Sequence, residues 1–255
     1  MSSAVANYTA LFTWRAWVFG WAVRVASQAV LYGLFGRLLG SPGQQRYLFV
    51  GAAVLVAATE ALMACAWTVN ERRIGVLSLV VASPSDPFPV LLGRGVAWLP
   101  GGLVISAGCL FLIGPAFGVR LAAAQAVVVA ALIVLTSLST YCLAIALGTV
   151  VVAHPDLRNV VGTVAGAGFV AVCGVAVPLG EWPAVVRAIG TAVPLTHTLS
   201  AIRAAIDGAP AAAVVRPTAL AVVWATVWLG VGRMVLSRLV ASGRRSGAIE
   251  LGGWS

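Results

Sequence analysis

Charged side chains make up only 9% of this 255-residue chain, so the places where they cluster stand out as candidates for chemistry. The densest is Asn70-Glu71-Arg72-Arg73-Ile74-Gly75-Val76-Leu77, running on through Ser78 to Ser83-Pro84 between two long apolar stretches. Glu71, Arg72 and Arg73 offer charge-assisted hydrogen bonds to a groove on a soluble partner. Ile74, Leu77 and Val81 recur about one helical turn apart and can pack as a ridge. Pro84 then stops the helix. The chemistry is docking, in which a partner's push reaches the apolar elements on either side. An ordinary amphipathic loop on a membrane surface is the plainer alternative.

Two further charges, Arg24 and Glu60, fall well inside apolar runs. Ionisable groups in hydrocarbon are costly and are usually paired or face water, so the two are expected to form an intramembrane ion pair. That pair is read as a static bridge between two helices in preference to a polar lining or a state-dependent latch. Arg94 is expected near the inner headgroups, where it can snorkel. His154 and His197 stand alone, and Cys65, Cys109, Cys142 and Cys173 are scattered one per apolar run with no C-x-x-C, so no metal site is expected. Neither H-E-x-x-H nor G-x-S-x-G occurs, which argues against an intramembrane protease or serine hydrolase. All sixteen basic residues are Arg, and a phosphate-cradling P-loop needs a Lys. These residues hold no Walker-type ATPase site.

The elements that position these groups are set by hydropathy. The chain is 61% hydrophobic with a mean hydropathy of +1.02, more than a soluble domain can cover with polar surface. At about 20 residues per crossing, six spans are expected, over 17–38, 46–69, 88–114, 121–153, 158–180 and 216–241. Runs such as Ala122 to Leu135 are apolar on all sides, which excludes the alternation of membrane strands. The fold class is therefore all-α integral membrane, one permease-sized domain over 1–255. The +9 charge is better read as arginines at span ends than as a nucleic-acid footprint. Their bias to one side places both termini in the cytoplasm.

Residues 1–16 mix aromatic and polar groups and are expected to form a helix along the inner membrane surface, or else an inner extension of span one. No cleavable signal peptide is expected, since a basic start is missing and Arg24 interrupts the first apolar run. Gly40-Ser41-Pro42-Gly43-Gln44-Gln45 and His154-Pro155-Asp156-Leu157-Arg158-Asn159 read as loops. Gly162, Gly166 and Gly168 give span five a small-residue face for close helix approach. Residues 181–215 are apolar yet broken by Pro183, Gly190, Pro194, Gly208 and Pro210. Short helices over 182–192 and 195–207 are expected to dip part-way into the outer leaflet as a re-entrant hairpin and to line or cap a substrate path. Residues 242–255 form a cytoplasmic tail.

In this order the chain resembles the membrane subunit of type-2 ABC exporters, of the drug or antibiotic and polysaccharide branches. Glu71, Gly75, Leu77, Ser83 and Pro84 look like that family's coupling helix, spanning 70–84 here. Pro178, Trp182-Pro183, then Val193-Pro194-Leu195-Thr196-His197 and Ala201-Ile202-Arg203 look like its signature before the last span. The family's Gly-Thr-Leu-Glu stands here as Gly75-Val76-Leu77-Ser78. The resemblance implies contact with a soluble ABC ATPase through the coupling helix, and an outer gate at Pro183, Pro194, Leu195, Thr196 and Arg203. It also implies a second identical or homologous permease subunit, lipid contact, and no cofactor in this chain, with ATP and Mg bound by the ATPase. The expected function is export of a hydrophobic or amphipathic, drug-like molecule across a bacterial inner membrane, as in multidrug resistance. The alternatives are export of a lipid-linked glycan, or a secondary transporter or scaffold without an ATPase. The Arg-only, Ala/Val/Gly-rich composition points to a GC-rich bacterial source.

Overall fold

The computed structural model describes residues 23–38, 40–73, 86–153 and 157–246. Helix α1 (Val23–Leu38) is followed, after three residues, by α2 (Pro42–Arg73). Gly40 takes a positive φ of 77°, Ser41 precedes the helix, and Pro42 opens it with a preset φ. The loop expected over 40–45 is therefore shorter, because Pro at the first helical position starts α2 early. Gly36 lets the two helices meet closely, since a Cβ there would overlap the Gln45 backbone. Helix α2 then runs 32 residues, about 48 Å at 1.5 Å per residue. Asn70-Glu71-Arg72-Arg73 is its last turn, continuous with the span.

After residues 74–85, Asp86 caps α3 (Pro87–Gly95), its Oδ1 accepting from the Phe88 N–H at 3.0 Å. A 3-10 turn, Val96–Trp98, separates α3 from α4 (Leu99–Gly108). The chain then widens into a π-turn, Cys109–Ile113, and a 3-10 turn, Gly114–Phe117. The third span, expected as continuous over 88–114, is thus segmented, and the stretch able to cross a membrane is Leu99–Phe117. Tyr141 pins α3 by donating to the Leu92 carbonyl and filling the space that a side chain at Gly95 would need.

Helix α5 (Ala123–Ala153) is the central post, packed on α2, α4 and the two helices that close the chain. Helix α6 (Arg158–Val172) ends eight residues before the expected limit of 180, because Gly174 turns the chain with φ +75°. Two short helices follow, α7 (Ala184–Thr191) and α8 (Pro194–Ile206), bent 85° to one another. Their bounds agree with the short helices expected over 182–192 and 195–207. Helix α9 (Ala211–Ser246) closes the described chain.

Among the described residues there is no strand, and four stretches are long and apolar enough to cross a membrane. They lie in α2, from α4 to Phe117, in α5 and in α9, with the α7–α8 pair as a fifth if counted as one broken span. Of the six expected spans, α1 and α6 are described over 16 and 15 residues. The small-residue face expected to receive a neighbour on α6 receives none among the described residues. A Cβ built at Gly162, Gly166 or Gly168 meets no atom within 4 Å.

Candidate functional site

The break after α6 frees backbone carbonyls in a buried place, where each needs a donor. Arg203, on α8, supplies them. Its Nη1 donates to the Gly174 carbonyl at 2.7 Å, and its Nη2 to the carbonyls of Tyr47 at 3.0 Å and Val175 at 3.3 Å. Tyr47 completes the clamp: its hydroxyl donates to the same Gly174 carbonyl at 2.7 Å, and the guanidinium lies 3.4 Å from its ring centroid. One turn along α2, Gly51 leaves room for the Val175 carbonyl, which a Cβ there would overlap. Three segments distant in sequence are thus locked by one fork of donors.

The α7–α8 corner is satisfied in the same way. The last carbonyls of α7 have no helical partner. Thr196 donates to Gly190 at 2.5 Å, His197 Nε2 pairs with Thr191 at 2.7 Å, and Trp228 of α9 donates to Ala192 at 2.8 Å. Pro183 stands at the N-cap of α7, Pro194 is the first residue of α8, and Leu195 is fully buried. Of the five residues expected at the outer gate, Pro183, Pro194, Leu195 and Thr196 sit in or beside this corner, while Arg203 stands in the last turn of α8 and reaches across to α2.

A cavity of about 490 Å³ lies beside the clamp, where the start of α2, the turn at Phe117 and the end of α8 converge. Tyr47 and Arg203 line it together with Arg46 and Asp207, which form an ion pair between α2 and the end of α8. Phe117 stacks on Phe49 with centroids 4.5 Å apart and planes 7° from parallel.

At the other end of α2 lies the polar segment. Glu71, Arg72 and Arg73 are helical, while their side chains, and residues Ile74, Gly75, Leu77, Ser83 and Pro84 entirely, lie outside the described residues. Just past them, Asp86 accepts from Arg233 of α9 at 3.2 Å, and the Arg233 guanidinium lies 5.6 Å from the Phe88 ring centroid. In the expected intramembrane pair, Glu60 is 6% exposed and its Cβ and Cγ press on Gly102 of α4. The side chain of Arg24 lies outside the described residues.

A family model described as an ABC-2 type transporter matches residues 3–206. The chain belongs to the ABC-2 type transporter family. The match takes in the polar segment and the Arg203 clamp, and ends on the last residue of α8. Searches of curated proteins and of solved structures returned no match. The family is one of multi-pass transport domains without an ATPase site, and it implies an ABC ATPase partner. Within this ABC-2 domain, Tyr47, Gly51, Gly174, the Arg46–Asp207 pair and the Asp86–Arg233 pair had no signal in the sequence as members of a site. The i, i+4 spacing of Tyr47 and Gly51 marks one helix face, but nothing along the chain says that residue 174 lands there.

Proposed function

We propose that this chain is the transmembrane subunit of an ATP-driven exporter, moving a hydrophobic or amphipathic small molecule out of the cytoplasm or the inner leaflet. Two such subunits, identical or homologous, form the path in a bacterial inner membrane, with both termini cytoplasmic. Residues 70–84 act as the coupling element that seats on the ATPase, where ATP and Mg are bound. The observation that carries this reading is the continuity of α2. One uninterrupted helix joins Glu71-Arg72-Arg73 to the Tyr47–Arg203 clamp, about 40 Å away along its axis. A helix of that length moves as a lever, so displacement at the coupling element tilts Arg46 and Tyr47 against α8. The Asp86–Arg233 pair would carry the same displacement to α9.

The test is ATPase activity of the complex co-purified in lipid, native against a Glu71→Ala/Arg72→Ala/Arg73→Ala variant. The variant is expected to release the ATPase or uncouple its activity from substrate. A native chain that never retains an ATPase, with a variant that behaves identically, would remove the mechanical basis of the proposal.

A further inference from the structure

The cavity beside the clamp has the size of a small-molecule site, and its wall carries an uncompensated charge. At about 490 Å³ it falls within the range that holds drug-sized ligands. Arg46 and Arg203 contribute two cations and Asp207 one anion, so the lining is left with one net positive charge. Asp207 is committed to Arg46. Arg203 directs its hydrogen bonds to neutral carbonyls, and among the described residues no carboxylate pairs with it. The rest of the wall includes the Phe117 ring and the Ile206 side chain, so an apolar body has a surface to lie on. A positive charge beside low-dielectric walls concentrates anions.

We propose that this cavity binds an amphiphile carrying one negative group, a carboxylate or a phosphate, on an apolar body. The anionic group seats between Arg46 and Arg203, and Asp207 is its built-in competitor, withdrawing from Arg46 when the ligand enters. This deepens the export reading and rests on it, since it names the chemical class held at the end of the path remote from the coupling element. The same chemistry has two sources, the transported molecule and an anionic lipid headgroup.

The test is equilibrium binding of radiolabelled 2-naphthoate to the chain in phosphatidylcholine nanodiscs, with empty discs as background and neutral 2-naphthamide as control. Naphthoate is expected to bind saturably and the amide not. Arg46→Gln should weaken naphthoate by about tenfold, and Asp207→Asn should tighten it several-fold, because removing the competitor frees Arg46. Both positions are partly exposed, which favours intact folding. A merely structural ion pair would make the two variants shift in the same direction. That result, or an absence of saturable naphthoate binding, overturns the proposal. Adding phosphatidylglycerol separates the sources: competition with naphthoate identifies the lipid headgroup as an occupant, and its absence leaves the soluble amphiphile. The Glu71/Arg72/Arg73 alanine variant should bind naphthoate as the native chain does, so a failure of coupling and a failure of this site are read separately.

Discussion

Arg203 is one side chain with three carbonyl acceptors and an aromatic ring to lie on, and its removal takes a donor from each carbonyl, leaving Gly174 only the Tyr47 hydroxyl. Arg203→Ala should lower stability by about 2–4 kcal/mol, since truncating a buried charged donor strands its partners. Arg203→Lys should recover only part, because an ammonium lacks the planar fork. Tyr47→Phe, which keeps the ring and loses one hydrogen bond, should cost about 1 kcal/mol. Thermal unfolding of the three variants in one lipid checks the order. For Glu60, pairing with Arg24 makes a specific demand: Glu60→Gln alone should be more damaging than replacing both residues. Equal melting points for the single and double variants would exclude the pair.

At the scale of elements, glycine positions separate tight from open helix faces. Gly102→Ala places a methyl 2.6 Å from the Glu60 Cβ, an atom held by the α2 backbone rather than the loose end of a side chain. The overpacking, about 1–3 kcal/mol, outweighs the gain of about 1 kcal/mol in helix propensity, so this variant should melt earlier. Gly166→Ala on α6 meets no atom of the described residues and should melt at the same temperature or slightly higher. A loss of stability there only in the assembled complex would show a second subunit on that face. Asp86 holds two roles that substitution can divide. Asp86→Asn keeps a capping oxygen and gives up the charge toward Arg233, whereas Asp86→Ala loses the cap and should cost about 1 kcal/mol more.

For the whole molecule, the arrangement is a long lever, α2, locked near its start by the Tyr47–Arg203 clamp. Helices α2 and α5 are largely enclosed, whereas only 22% of the most apolar stretch of α9 is buried. Helix α9 is thus the exposed wall of the bundle, tied in near its middle by Trp228 and, five residues on, by Arg233. Changes in the separation of α9 from α2 are expected when the coupling segment moves. Distances between spin labels placed on α9 and α2 near each tie, measured with and without ATP in the assembled complex, report them. Unchanged distances would exclude the lever.

Much of this was legible in the chain. Hydropathy runs longer than a bilayer is thick dictate helices, because backbone groups in lipid must pair within their own segment. Proline and glycine placement dictated the two short helices before α9, since Pro183 and Pro194 can start helices there but not continue them. The membrane class and the order of elements follow from those local rules. The early end of α6, the segmentation of the third span and the partners of Arg203 do not. The end of α6 and the Arg203 clamp depend on carbonyls at Gly174 and Val175 meeting donors more than 25 residues away on α8 and more than 120 away on α2. An arginine in an apolar run announces that it needs acceptors. Which ones it finds is decided by packing, because only the tertiary fold brings a broken helix end, a tyrosine and a glycine face to one place.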